Sequence, residues 1–187
     1  MRESGKILAS ILHVVTTTAK AGVTPKEISA LAASELKRHR ATPTFLGVGY
    51  PPFPDVICIS VNDQVQHCIP DDTPFENGDI VNFDFGVTYK GMITDAGTTI
   101  CIGGNPSKDN RRLLEGTEQA LHDAISMIKA GVKVGDISAV IEKTLKQYRL
   151  GIVRELVGHG VGHELHEDPE IPNYGRAGTG PVLKAGM

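Results

Sequence analysis

The sequence predicts an α/β fold of the α+β kind, built twice from one helix–helix–strand unit. Three features predict it: a gapless internal repeat, helical apolar periodicity in the repeated segments, and an alternating hairpin between them. Lys20-Ala21-Gly22-Val23 recurs as Lys129-Ala130-Gly131-Val132. At the same offset of 109, Ile28-Ser29-Ala30 recurs as Ile137-Ser138-Ala139, Leu36-Lys37 as Leu145-Lys146, and Arg40 as Arg149, which makes 10 identities in 21 positions. Two unrelated amphipathic helices would share about two or three such identities by composition.

The elements follow in order. Ile7, Leu8, Ile11, Leu12 and Val15 place a helix over about Ile7 to Ala19, stopped by Gly22. Thr24-Pro25-Lys26-Glu27 is a capping-box start with proline at the first helical position, and this second helix fades near Arg40. A loop rich in proline and glycine spans Pro43 to Pro54. Strands are expected at Val56–Val61, Ile80–Val87 and Met92–Ile102, with Lys90-Gly91 as turn chemistry. Ser107 starts a long helix ending at Gly131, and Asp136 caps another that runs to about Arg149. Pro181 to Met187 resembles the lead-in Pro74 to Asp79, with Gly186 matching Gly78, so the hairpin's counterpart is expected to begin just past Met187 and the second half to be incomplete.

Composition narrows the function classes. A chain of 187 residues with 40% apolar and 22% charged residues can bury a core of its own. Nineteen basic against 22 acidic side chains, net charge −3, give no electrostatic footprint for nucleic acid. No apolar run approaches the ~18 residues of a membrane span, and Met1-Arg2-Glu3-Ser4 opens no signal peptide. Cys58, Cys68 and Cys101 are odd in number and lack paired-ligand spacing, so they read as reduced thiols of a cytoplasmic protein.

The strand Ile80–Val87 alternates: Val81, Phe83 and Phe85 face one way, Asn82, Asp84 and Gly86 the other. The returning strand brings Asp95 opposite Asp84, or diagonal to it if Lys90-Gly91 is a two-residue turn. Two carboxylates this close call for something positive between them: divalent cations, a shared proton, or a nearby Lys or Arg. A solvated hairpin tip with two ordinary aspartates is the plain alternative. His13, His39 and His122 sit on helical stretches without polar company, whereas His67 lies in a strand-end loop, where reactive groups concentrate. Gly158 to Pro169 holds His159, His163 and His166. His159 and His163 have the spacing of a helical zinc site, but Gly158, Gly160 and Gly162 would each cost roughly 1 kcal/mol inside a helix. The segment is therefore expected to be extended.

Taken together, Cys58 to Asn62, His67 to Pro70, Gly78 to Asp84, Asp95, Gly158 to Gly162, His166 to Pro169 and Pro172 to Tyr174 resemble the type I methionine aminopeptidases of the pita-bread dinuclear metallopeptidases. The resemblance implies a pseudo-twofold α/β fold, with a central curved antiparallel sheet flanked by helices, in one catalytic domain over residues 1–187 that lacks its C-terminal part. It implies that Asp84, Asp95 and His159 ligate two divalent ions (Co, Mn, Fe or Zn), with Asp95 bridging. His67 and His166 would be catalytic and touch substrate; Cys58, Phe53 and Tyr50 would line a methionine pocket. The implied reaction is removal of an N-terminal methionine before a small second residue, from peptides or nascent chains. A cytoplasmic monomer is expected, ribosome association is left open, and DNA and membrane are not expected partners. A related X-Pro peptidase or an inactive binding module are the alternatives. Two features depart from the family: Cys68 stands where a glycine is usual, and two glutamate ligands would fall beyond Met187.

Overall fold

The computed structural model describes all 187 residues, which divide into two compact units. The first comprises Met1–Ser107 with Val161–Leu165, the second Lys108–Gly160 with His166–Met187.

In the first unit, α1 (Arg2–Thr18) and α2 (Pro25–Arg38) are joined by a turn at Gly22, whose φ of 89° only glycine adopts without strain. The expected capping box is present: the Thr24 hydroxyl accepts from the Glu27 N–H, and the Glu27 carboxylate accepts from the Thr24 N–H. Four strands follow: β1 (Thr42–Pro43), β2 (Cys58–Val61), β3 (Ile80–Tyr89) and β4 (Met92–Cys101). All pair antiparallel; β3 carries β4 along one edge and shares the other between β1 and β2. A short 3-10 turn, Ile102–Gly104, ends β4. The sheet has one apolar face. Val81, Phe83, Phe85 and Val87 of β3 and Ile59 of β2 pack with Leu8, Ile11 and Val15 of α1 and Ile28, Ala32 and Leu36 of α2 into one core. Phe83, Phe85 and Ile11 are completely buried, which puts the polar residues of β3 on the opposite face.

In the second unit, α3 (Lys108–Met127) and α4 (Val134–Gln147) pack together, Asp123 accepting from the Thr144 hydroxyl at 2.6 Å. A Cβ at Gly116 would lie 2.8 Å from the Tyr148 ring, so this close approach depends on glycine. A two-stranded antiparallel sheet follows, β5 (Val157–Gly160) and β6 (Glu167–Pro172). Its core is small: Ala124, Val132 and Ile137, with Met127, Ile141, Ile171 and Leu183 around them. Asp136 does not cap α4 as expected. Lys133 holds the cap position and Asp136 stands at the third helical position, its carboxylate accepting from the Lys133 and Gly178 N–H groups. A carboxylate one turn in can satisfy the same orphan donors as a cap residue, so sequence alone does not separate the two positions.

The repeat is drawn in backbone geometry. α2 and α4 are both 14 residues long at the offset of 109. Gly131 turns at φ 93° as Gly22 does at 89°, and Arg149 and Arg40 both stand at φ 55°. Phe75 pairs with Val23 and Leu183 with Val132 through bonds of 2.8 Å, while Gly78 and Gly186 turn at 98° and 94°. No helix is long and apolar enough to cross a membrane.

Candidate metal and substrate site

The polar face of the first unit's sheet brings together three of the expected site residues, Cys58, Asp84 and Asp95. Tyr89 pairs with Met92, so Lys90-Gly91 is the two-residue turn; Asp84 lies opposite Gly97 and Asp95 opposite Gly86. The two aspartates are therefore diagonal neighbours on one face, the second of the two registers the sequence allowed. On the other edge of β3, Cys58 pairs with Asp84 and so presents its thiol to the same face. Burial, followed by the charges of Asp84 and then Asp95, pushes that thiol up to about 12. Both carboxylates thus bear on one buried neutral thiol, and none of the ion pairs involves Asp84.

The loop after β2 carries His67, exposed and at φ 58°, with Cys68 tied back to the strand by the Ile59 N–H at 3.1 Å. Phe53 closes the 45–53 loop by exchanging backbone bonds with Gly47 and Val48, and Tyr50 at its tip is 101% exposed. All three cysteines are free, as expected of reduced thiols. No helix forms here, as expected, but the segment is extended only in part: Gly158 to Gly160 lie in a strand, residues 162–166 form a run of bends, and the Gly162 carbonyl accepts from the Ile93 N–H of β4 at 2.7 Å.

In the second unit, His159 stands on β5 beside a bulge, and His166 immediately precedes β6. Their rings lie 4.4 Å apart. A Cβ at Gly160 would sit 2.5 Å from the Asp168 carbonyl oxygen, so glycine lets β5 and β6 approach this closely. His159 Nδ1 lies 2.9 Å from the Gly160 carbonyl. A carbonyl only accepts, so Nδ1 is the donor in this bond. The carboxylates of the first unit and the imidazole of the second are, each by its own chemistry, donors of the kinds that hard and borderline divalent ions take. No three His, Cys, Asp or Glu side chains form a group able to hold a metal ion. His163 is exposed, and His13, His39 and His122 lie on or at the ends of helices, as expected, but His39 and His122 do have polar company, Glu35 at 4.0 Å and Glu118 at 3.9 Å.

Sequence reasoning missed a set of contacts around these residues. Thr44 and Phe45 press against Gly86, and Asn62 is bonded to Asp79. Asn62 and Asp79 flank strands, which is a weak signal; nothing in the sequence pointed to Phe45.

The metallopeptidase family M24 matches residues 1–187. The chain is 39% identical to the methionine aminopeptidase of Clostridium perfringens and to methionine aminopeptidase 1 of Bacillus subtilis, over all of its own length and 74% of each relative. The crystal structure of the Thermotoga maritima methionine aminopeptidase superposes with a TM-score of 0.95 at 39% identity, covering 100% of this chain and 74% of that one. The prolidase of Pyrococcus furiosus shares the fold at a TM-score of 0.83 and 25% identity, over 99% of this chain and 52% of that one. The expected pita-bread fold class is therefore established, and the chain belongs to metallopeptidase family M24.

Proposed function

We propose that this chain carries the hydrolytic framework of a methionine aminopeptidase, which removes an N-terminal methionine when the second residue is small. The observation that carries the reading is the diagonal Asp84–Asp95 pair on the polar face of the β3–β4 hairpin. In this reading Asp84, Asp95 and His159 would be the residues that hold two divalent ions, with Asp95 shared between them and Co, Mn, Fe or Zn as candidates. When bound, such ions lower the pKa of water and polarise the scissile carbonyl. His67 and His166 orient the peptide and donate hydrogen bonds to the carbonyl oxygen as negative charge builds on it. Cys58, buried at the start of β2, offers apolar surface to the methionine side chain together with Phe53 and Tyr50. Peptides and nascent chains in the cytoplasm are the substrates, met by a monomer; relatives that share 39% identity support methionine release over X-Pro cleavage.

The test is a peptide panel with each of the four metals. Methionine release from Met-Ala-Ser, with Ala-Pro peptides left intact, is expected; Ala-Pro cleavage or no release with any metal overturns the reading. Asp95→Asn should lose more than tenfold in turnover, and retention of more than about a tenth removes the bridging role. His166→Ala should cost far more activity than His163→Ala; equal losses would place the catalytic role on the wrong imidazole.

A further inference from the structure

The loop that carries His67 is anchored at both ends, and the anchor at its start is a reciprocal side-chain clasp. Asn62 leaves β2 at φ 56°, a conformation that asparagine tolerates better than most residues. Its N–H donates to the Ile80 carbonyl at 2.8 Å, and its Oδ1 accepts from the Ile80 N–H at 3.0 Å. Its Nδ2 donates to Asp79 Oδ1 at 2.9 Å, while Asp79 Oδ2 accepts from the Glu76 N–H at 2.8 Å. Just beyond, Gln64 Oε1 accepts from the Val61 N–H at 2.8 Å. At the far end the Cys68 carbonyl accepts from the Ile59 N–H. Between these anchors Val65, Gln66 and His67 are exposed.

We propose that Asn62 and Asp79 are a positioning pair for His67: their clasp restricts the loop so that the His67 ring is held where a substrate meets it. This rests on the reading of His67 as a substrate-contacting imidazole. Position 62 must donate once and accept once, and position 79 faces two donors and must accept twice. Asn62→Asp sets two carboxylates against each other. Asp79→Asn leaves one acceptor for two donors. The reciprocal exchange Asn62→Asp with Asp79→Asn restores every bond: the amide at 79 donates to the carboxylate at 62 and accepts from Glu76, and the carboxylate at 62 still accepts from Ile80.

The pair is tested by steady-state kinetics on the metal-loaded chain and by NMR of the His67 ring in the metal-free chain, with the signal assigned by His67→Gln. Each single exchange should lower kcat about tenfold and leave KM within about threefold, and the double exchange should return kcat to within about twofold of wild type. Asn62→Gly keeps the left-handed backbone, deletes the side-chain bonds, and should behave as the single exchanges do, which guards against a single exchange that fails to fold. In the spectra the single variants should shift and broaden the His67 signal, and the double variant should restore it. Single variants that fold yet leave the His67 signal in place, or a double variant no better than the singles, overturn the proposal. Absence of methionine release by the wild type would strike the functional reading alone, because the spectra still decide the clasp.

Discussion

The two helical pairs of this molecule share their turns and differ in what they rest on. α1 buries Leu8, Ile11 and Val15 in a core that includes four completely buried residues of β3. α3 buries only Gly116, Ala120 and Ala124, and leaves Leu113, Leu121 and Ile125 exposed. Yet Gly22 and Gly131, and Arg40 and Arg149, adopt the same left-handed conformations. Turn geometry is therefore written into adjacent residues and survives a change of packing partner, whereas burial depends on the sheet a helix meets.

That contrast can be broken by substitution. The largest difference should come from the cores. Phe83→Ala removes a fully buried ring from the first unit and should cost about 3–5 kcal/mol. Ile137→Ala, in the small cluster of the second unit, should cost about 2 kcal/mol, the low end for such a truncation. Chemical denaturation checks both, and a costlier Ile137→Ala would show that the smaller cluster is the better packed. The turns should behave alike. Neither Gly22 nor Gly131 has an atom within 4 Å of a Cβ placed on it, so alanine at either site meets only the left-handed strain. Each should lose about 1–2 kcal/mol; a difference of more than about 1 kcal/mol between them would mean that packing reaches the turns after all.

The smallest effect concerns Asp136. Hydrogen bonds from the Gly178 and then the Lys133 N–H groups hold its carboxyl below the usual carboxylate range. A depressed carboxylate stabilises the fold above its unfolded value and loses that contribution as pH falls through its native value. Asp136→Asn should therefore lower the melting temperature by a few degrees at pH 7, and the gap from wild type should narrow below about pH 4. A gap that stays constant with pH would assign the effect to shape and not to charge.

The same division between local and distant causes explains what was legible in the sequence. The capping box at Thr24, the two-residue turn at Lys90-Gly91 and the repeat itself are set by neighbours within a few residues, and the structure shows each of them. The alternation of β3 told which face Asp84 would take, and only the turn type was needed to choose its register with Asp95. The short strand β1, the bond from Ile93 to Gly162 and the Asn62–Asp79 clasp join residues far apart in the chain, or depend on a loop whose path no periodicity encodes. The position of Asp136 was missed for a different reason: two helix-start geometries use the same residue types.

Gly86 narrows the routes open to this chain as it diverges. It stands opposite Asp95 in β3, and a Cβ there would lie 2.7 Å from the Phe45 ring and 2.8 Å from the Thr44 side chain. Even alanine collides with both neighbours, so any departure from glycine at codon 86 must wait for a displaced 42–45 segment, since a smaller residue at 45 alone leaves the Thr44 contact in place. Drift here is ordered in time: the segment that carries Thr44 and Phe45 must give way first, and position 86 can change only afterwards.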